Sequence, residues 1–237
     1  MCDIINFDKF VKDDQKYIQN EHCLFKMPFN SIFYGKTNSG KTNALVNLLL
    51  NKKYFLPAQR IYLYASDLQD PKYILLLEHY EKIEINMQKK LKDDKFKMFF
   101  CSDKIEDIIP INEYDKKYNN LVIIDDMIHL ANSKNHEIIN SYFIVGRHYG
   151  VSTIYLTQHF FKLDRTIRCN INYLLLFKIV SNYDISSIYR DIMCDITLQE
   201  FKNNYRKTIG INIYGFIILN FIAKDTNDFM SNTFYLK

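Results

Sequence analysis

The sequence predicts an α/β domain with a mostly parallel central sheet flanked by helices. Short apolar runs alternate along the chain with longer segments of helical character, which is the pattern of strands joined by crossover helices. A glycine-bracketed loop follows one of the early runs, and a later run ends in two aspartates. Because the carboxyl ends of parallel strands line one crevice, we expect the loop and the aspartates to lie at the same edge of the sheet.

The predicted strands are short apolar runs of strand-forming residues. They lie at residues 31–34, 60–65, 97–101, 120–125, 151–158 and 173–180. Residues 211–222 are also strand-like, and we expect a hairpin or a pair of edge strands there. No stretch of linker composition divides the chain, so we expect an N-terminal extension over residues 1–24 and a single domain over residues 25–237.

The predicted helices alternate with these strands or follow them, at residues 40–50, 136–145, 185–192 and 198–206. A further helix begins at Pro71, because proline is favoured in the first turn of a helix. The helix over residues 136–145 is expected to end near Gly146 or Gly150, since glycine commonly terminates helices. The lysine-rich stretch 89–97 is predicted to be a solvated loop or a helix end.

The composition excludes several classes of protein. The formal net charge is +4, which is compatible with a nucleic-acid partner without indicating one. The five cysteines are scattered with no Cys-x-x-Cys pair, so we expect reduced thiols rather than a zinc ribbon or a disulfide framework. The N-terminus has no apolar signal segment, and the longest apolar stretch, residues 214–223, is too short to cross a bilayer. We therefore expect a soluble protein with no membrane span.

The loop after the strand at residues 31–34 has the spacing Gly-x4-Gly-Lys-Thr and opens a predicted helix, which is the context of a phosphate-binding loop. Its residues are Gly35, Lys36, Thr37, Asn38, Ser39, Gly40, Lys41 and Thr42. Glycines let the backbone curl so that N–H groups point at phosphate oxygens, and the helix N-terminus adds partial positive charge. We expect Lys41 to bridge the β- and γ-phosphates of ATP and the Thr42 hydroxyl to bind Mg²⁺. A coincidental glycine turn is disfavoured, because two of only six glycines fall in this motif.

The strand at residues 120–125 is apolar until it ends in Asp125, which Asp126 follows. At the carboxyl end of a parallel strand, Asp125 is expected to hold Mg²⁺ through a water, and Asp126 to orient or polarise the attacking water. Many related ATPases have Glu at the second position, so the shorter Asp126 must lie closer or act through an extra water. A helix N-cap after a buried strand is the alternative for this pair, and the phosphate loop favours the catalytic interpretation.

Further polar residues are candidates for contact with the γ-phosphate. Gln158 ends another apolar strand, where a neutral amide detects the γ-phosphate without repelling it; a polar strand cap is the alternative. An added arginine accelerates phosphoryl transfer, because the transition state spreads charge over the equatorial oxygens. The candidates are Arg147, Arg165 and Arg168, with Arg147 first and Arg168 second. A surface or structural role is the alternative for each arginine.

The segment at residues 146–158 (GRHYGVSTIYLTQ) resembles the strand-and-sensor region of the FtsK–HerA superfamily of DNA-pumping ATPases. Residues 167–172, 177–181 and 184–187 continue the match in order. Within that superfamily, the sequence Gly146-Arg147-His148 and the aspartate pair most resemble the poxvirus-type genome-packaging ATPases of large DNA viruses and virophages. The resemblance covers roughly residues 25–221, which is most of the chain.

This resemblance implies a RecA-like P-loop core with the strand order 5-1-4-3-2. It also implies a ring of subunits, pentameric or hexameric, that pumps double-stranded DNA into a preformed capsid at the expense of ATP. Lys41 and Thr42 would bind the nucleotide, Asp125 the metal, Asp126 would promote hydrolysis and Gln158 would act as the sensor. Arg147 stands where the family has its arginine before the sensor strand, and its position leaves open whether it acts in cis or in trans.

The partners implied by the resemblance are double-stranded DNA, other copies of the chain and a capsid or portal vertex, in the host cytoplasm or the virion. The stretches 89–97 and 162–168, which carry lysines and arginines, are candidates for phosphate contacts that do not depend on DNA sequence. Two other functions remain open at this point. One is a nucleoside or nucleotide kinase, and the other is a nucleotide-binding structural subunit that hydrolyses ATP slowly.

Overall fold

A computed structural model describes residues 17–127, 133–179, 181–192, 196–211, 214–223 and 229–232. The strands are β1 (Asn30–Tyr34), β2 (Arg60–Ala65), β3 (Phe99–Ser102), β4 (Asn120–Asp125), β5 (Val151–Thr157), β6 (Tyr173–Leu176), β7 (Ile217–Asn220) and β8 (Met230–Ser231). The α-helices are α1 (Lys41–Leu50), α2 (Pro71–Leu91), α3 (Ser133–Val145), α4 (Arg165–Cys169), α5 (Asn182–Ile192) and α6 (Leu198–Ile211). Short 3₁₀ turns occupy Ile105–Asp107, Ile111–Glu113, Gly146–Tyr149 and Phe160–Lys162.

The strands form one sheet in the order β3-β2-β4-β5-β1-β6-β7-β8, in which β1 to β6 pair in parallel and β7 and β8 pair antiparallel. The predicted α/β class and the order 5-1-4-3-2 are confirmed in the five strands β6-β1-β5-β4-β2. The strand β3 extends this core at one edge, and β7 and β8 extend it at the other.

The sheet is buried on both faces, because side chains of each central strand point alternately to two separate apolar clusters. In β4, Leu121 and Ile123 belong to the cluster beneath α1 and α2, whereas Val122 and Ile124 belong to the cluster beneath α3, α5 and α6. Helices on both faces of a parallel sheet explain why these strands are continuous apolar runs in the sequence. The alternation fixes the register, since a slip of one residue would exchange the two clusters.

The parallel pairing aligns the carboxyl ends of the central strands. Tyr34 at the end of β1 pairs with Thr157 of β5 on one side and with Leu176 of β6 on the other. Asp125 at the end of β4 pairs with Leu156 of β5. The loops that follow β1, β4 and β5 therefore leave the sheet at the same edge.

Two predicted boundaries near the C-terminus differ from the structure. The predicted strand at 173–180 ends at Leu176, although the next residue still donates its N–H to Tyr34 O at 2.8 Å; Val180 lies outside the described residues. The predicted hairpin at 211–222 is wrong in its first part, because α6 continues through Ile211. Phe201, Tyr205 and Ile209 pack against the core at intervals of four residues, which carries the helical pattern past the predicted end at residue 206. The antiparallel partner of β7 is β8, which lies beyond the predicted segment.

Other predictions concern the ends of the chain and the cysteines. Residues 1–16 of the predicted extension lie outside the described residues, while Cys23 and Leu24 are buried in the domain; the boundary at residue 24 stays a prediction. The described Cys23, Cys101 and Cys169 are free thiols, and Cys2 and Cys194 lie outside the described residues. In the described part of the chain, no helix combines the length and the apolar character that a membrane crossing requires.

Asn30 joins the start of β1 to the ends of two helices. Its side chain is 2% exposed and donates to Phe143 O of α3 and to Asn170 O after α4, each at 2.9 Å. We predict that Asn30→Ala lowers the free energy of unfolding by about 2–3 kcal/mol, because the buried carbonyl of Phe143 and the part-buried carbonyl of Asn170 both lose a donor. Urea unfolding measures this change.

Asn112, an exposed residue of the 3₁₀ turn Ile111–Glu113, provides the matched control. Asn112→Ala should change the free energy of unfolding by less than about 0.5 kcal/mol. Equal effects of the two substitutions would show that the Asn30 hydrogen bonds do not contribute as described.

Candidate nucleotide-binding site

The loop between β1 and α1 is curled by three features of its backbone. Asn38 and Gly40 adopt left-handed conformations, with φ of 58° and 103°. A Cβ on Gly35 would lie 2.6 Å from Phe177 Cβ and 2.7 Å from Ser39 Oγ, so only glycine fits there. The helix opens directly after the curl, where Ala44 N donates to Gly40 O at 2.9 Å. This geometry confirms the predicted strand–loop–helix context and sets the N-terminus of α1 at the carboxyl edge of the sheet.

Lys41 is a nearly buried cation at the first position of α1, with 8% of its surface exposed. Its Nζ donates to Gly35 O at 2.8 Å and to Lys36 O at 3.1 Å. Burial lowers the pKa of the Lys41 ammonium, and the nearby carboxylates of Asp125 and Asp126 oppose that shift. The side chain therefore holds a charge over the loop, facing the acidic end of β4.

Ser39 supplies a second polar atom to the loop. Its side chain is 2% exposed, and Ser39 Oγ has no hydrogen-bond partner within the described part of the chain. A buried hydroxyl without a partner is costly, and an anion seated in the loop would satisfy it. This atom thus fits a phosphate group.

Asp125 is held by a tyrosine from the opposite wall of the cleft. Tyr73, the third residue of α2, is 1% exposed and donates its hydroxyl to Asp125 Oδ2 at 2.5 Å. Burial raises the pKa of the Asp125 carboxyl, while the Tyr73 hydrogen bond and the Lys41 charge lower it. The Thr42 side chain lies close enough to the Tyr73 hydroxyl to oppose the rise that burial causes in the Tyr73 pKa. The Tyr73 hydroxyl therefore lies beside both residues that the sequence assigns to the metal.

Asp126 and Gln158 form a bridge to the phosphate loop. Gln158 Nε2 donates to Asp126 Oδ2 at 3.0 Å, and the Thr37 hydroxyl donates to Gln158 Oε1 at 2.6 Å. Asp126 has a left-handed φ of 52°, and its N–H donates to Leu156 O at 3.0 Å, which turns the chain sharply after β4. The bridge spans the ends of β4, β5 and β1, and places the Gln158 amide between the loop and a carboxylate.

These groups line one cleft of about 390 Å³ at the carboxyl edge of the sheet. Its walls are formed by Thr37, Asn38, Ser39, Gly40, Lys41, Thr42, Asn43, Ser66, Asp70, Lys72, Asp125, Asp126, Gln158 and Tyr214. The structure thus brings together most of the loop, the aspartate pair and the glutamine, as the sequence indicates. Among the described residues, no cluster of three or more His, Cys, Asp and Glu side chains forms a self-contained metal site.

The two preferred arginine candidates, Arg147 and Arg168, are not among the described residues that line this cleft. Arg147 is exposed in the 3₁₀ turn Gly146–Tyr149, immediately before β5, whereas Gln158 follows the other end of that strand. Seven residues of strand span roughly 23 Å, so Arg147 does not reach the cleft of its own chain. Arg168 on α4 pairs with Asp191 and donates to Leu163 O at 3.2 Å. The catalytic roles of both arginines stay predictions.

Sequence reasoning missed the contribution of α2 to the site. Asp70 caps this helix by accepting from Lys72 N at 2.8 Å, and both residues line the cleft. Tyr73 fits the apolar run of the predicted helix. Nothing in that run distinguishes a tyrosine whose hydroxyl contacts the site from one whose ring only packs in the core. A usable signal was present, because the helix that begins at Pro71 follows β2 directly and so starts at the same sheet edge as Asp125.

Comparisons with known proteins identify a matching family and similar folds. A family model described as Poxvirus A32 protein matches residues 16–211. The chain belongs to this family. The predicted resemblance to poxvirus-type genome-packaging ATPases is thereby confirmed. No curated protein sequence matches the chain significantly.

Solved structures support the same fold at low sequence identity. The genome-packaging NTPase B204 from Sulfolobus turreted icosahedral virus 2, in complex with AMPPCP, has a TM-score of 0.55 and 14% identity, over 87% of this chain and 97% of its own. The DNA-packaging ATPase B204 from Sulfolobus turreted icosahedral virus has a TM-score of 0.56 and 15% identity over the same shares. The cytoplasmic domain of EssC has a TM-score of 0.50 and 17% identity, over 68% of this chain and 33% of its own. The A32 family member therefore has the fold of viral genome-packaging ATPases.

The hydrogen bond from Tyr73 generates a prediction for this A32 family member. Tyr73→Phe should lower the free energy of unfolding by about 1–2 kcal/mol, because a buried carboxylate loses a donor. It should also weaken Mg²⁺ binding in the presence of an ATP analogue by about 10-fold, since groups that orient a metal ligand contribute to metal affinity. Urea unfolding and calorimetric Mg²⁺ titration measure the two effects.

Tyr80→Phe is the matched control, because Tyr80 lies buried on the same helix and stacks on Phe99 at 4.9 Å without contacting an aspartate. We expect it to leave the Mg²⁺ titration unchanged. If Tyr73→Phe changes only stability, or both variants change Mg²⁺ binding alike, Tyr73 does not position Asp125 for a metal.

Proposed function

We propose that this A32 family member is an ATP-driven motor that moves double-stranded DNA into a preformed viral capsid. The observation that carries the ATPase part of the proposal is the cleft itself, in which Lys41 and Ser39 of the phosphate loop face Asp125 and Asp126 at the end of β4. A curled loop with a cation on one wall and two carboxylates on the other is the arrangement that nucleoside triphosphate hydrolysis requires.

The loop and α1 would bind the triphosphate. Backbone N–H groups of residues 35–42 and the helix N-terminus attract phosphate oxygens, and the Ser39 hydroxyl would donate to one of them. An ammonium has three N–H donors, and Lys41 directs two of them to loop carbonyls. The third would contact the β- and γ-phosphates.

The residues at the end of β4 fit a magnesium ion. Thr42 and Asp125 both line this cleft, and each has a side-chain oxygen that can be a metal ligand. Mg²⁺ is bound by oxygen ligands of this kind together with phosphate oxygens and water. Magnesium, when bound, neutralises negative charge on the phosphates. The Tyr73 hydrogen bond would keep Asp125 turned towards that position.

Asp126 and Gln158 would orient the attacking water. A carboxylate accepts a hydrogen bond from water, and the Gln158 amide both donates and accepts, so together they would hold a water beside the γ-phosphate. Because Gln158 also accepts from Thr37 of the phosphate loop, changes at the phosphates would be passed to Asp126 through a single amide.

The motor function is proposed from the family and not from the cleft alone. Membership of the A32 family and the fold shared with B204, a DNA-packaging ATPase, favour DNA packaging over a nucleoside kinase. In a pentameric or hexameric ring, Arg147 would act in trans, since its own chain places it at the opposite sheet edge. The capsid or portal vertex would be the docking partner, in the host cytoplasm or the virion.

ATP hydrolysis tests the proposed cleft. Lys41→Ala and Asp126→Asn should each reduce turnover of MgATP to background, because one removes the phosphate contact and the other removes the negative charge that polarises the attacking water. A phosphate-release assay measures turnover, and thermal unfolding verifies that both variants fold. Turnover that survives both substitutions would exclude this cleft as the hydrolytic site, whereas a folded wild-type chain that binds ATP without turnover would favour the slow-hydrolysing structural subunit.

DNA dependence tests the motor. With the assembled ring, we expect double-stranded DNA to raise the ATPase rate several-fold, and the effect to fall as salt increases because phosphate contacts release counterions. The same assay with Lys41→Ala controls for contaminating ATPases. An assembled ring that hydrolyses ATP at the same rate with and without DNA would contradict packaging while leaving the ATPase assignment intact.

A further inference from the structure

The nucleotide cleft is polar except at one end. Its described walls carry hydroxyl, amide, ammonium and carboxylate groups, and Tyr214 is the single aromatic side chain among the lining residues that the structure describes. A triphosphate and a metal account for the polar groups. A nucleotide base, which presents flat faces of low polarity, needs a different kind of surface, and aromatic rings supply it by stacking.

Tyr214 lies against the backbone of the phosphate loop. A Cβ added to Gly40 would come within 3.2 Å of Tyr214 Cβ and 3.3 Å of Tyr214 Cδ1, so the tyrosine packs over the glycine that opens α1. The side chain is nevertheless 50% exposed. One side of the residue therefore covers the loop, and a large part of its surface faces solvent at the cleft.

The sheet order sets the direction in which a nucleotide would lie. The loop follows β1, and the aspartates follow β4, which lies two strands away on one side. Tyr214 precedes β7, which lies two strands away on the other side. Lys41, Asp126 and Gln158 mark the end of the cleft that suits the γ-phosphate. The base, at the other end of the nucleotide, would leave the loop on the side of Tyr214.

We infer that Tyr214 is the platform on which the base of the bound nucleotide stacks. The inference rests on the proposed binding of ATP in this cleft and adds the part of the ligand that the phosphate loop does not contact. Stacking depends on ring area and not on a base-specific hydrogen bond, so the platform accepts purine bases generally. Its contribution belongs to the base alone and is absent for a ligand that has only phosphates.

Inorganic tripolyphosphate separates the base from the phosphates. Calorimetric titration with Mg²⁺ present gives the affinities of the full chain for ATP and for tripolyphosphate. Tyr214→Ala should weaken ATP binding by about 10- to 100-fold and change tripolyphosphate binding by less than about twofold. Tyr214→Phe should retain both affinities, because the ring remains. Tyr183→Ala, at a 71% exposed tyrosine on α5, serves as the surface control.

A second measurement uses the absence of tryptophan from the sequence. Tyr214→Trp introduces a single indole that keeps an aromatic surface at the proposed position. Stacking of a base on the indole should quench its fluorescence when ATP is added, and tripolyphosphate should leave the fluorescence unchanged. A signal that responds to both ligands alike would report loop movement and overturn the inference.

The titrations distinguish a failure of base stacking on Tyr214 from a failure of the proposed ATP site. ATP affinity unchanged in Tyr214→Ala, or ATP and tripolyphosphate weakened equally, would show that the residue only packs on Gly40, and the platform would be excluded while the ATP site stands. A folded wild-type chain that binds neither ligand would overturn the proposed nucleotide site together with the platform. Selective loss of ATP binding in Tyr214→Ala, with retention in Tyr214→Phe, supports the inference.

Discussion

A nearly buried lysine charge between a curled loop and two carboxylates is the interaction on which this site depends. Lys41 donates to two loop carbonyls on its own side, and across the cleft Asp125 and Asp126 attract it. Burial disfavours the charge, while the carboxylates favour it, so the cation is held in place with little water around it. An anionic ligand that carries a divalent cation matches this arrangement, because its negative charge complements Lys41 and its cation complements the two aspartates.

The parallel sheet makes that interaction possible, since it brings the ends of β1, β4 and β5 to one edge. Two side chains then restrict the conformations of the polar groups at that edge. Tyr73 ties the Asp125 carboxylate to the start of α2, and Gln158 ties Asp126 to Thr37. The acidic wall and the phosphate loop are therefore coupled through direct hydrogen bonds, and a motor needs such a coupling if events at the phosphates are to move protein elements.

The features that were predictable from sequence have strict local requirements. The phosphate loop needs glycine at positions 35 and 40 for steric reasons. An apolar strand ending in Asp125 predicts a site at the sheet edge once the phosphate loop accompanies it, because the loop disfavours the alternative of a helix N-cap. Tyr73 was not predictable, because its hydroxyl meets a carboxylate 52 residues away and its ring fits the apolar pattern of α2. Sequence proximity also does not reveal how far Arg147 lies from the cleft of its own chain, since β5 separates this residue from Gln158 and carries it to the opposite edge.

A crystal structure with a non-hydrolysable ATP analogue and Mn²⁺ would test directly whether triphosphate and metal bind in this cleft, because Mn²⁺ is located independently by its anomalous scattering. We expect one metal peak beside Thr42 Oγ1 and Asp125, with phosphate oxygens within hydrogen-bonding distance of Lys41 Nζ. Triphosphate bound away from residues 35–42, or a metal that approaches neither Thr42 nor Asp125, would contradict this expectation.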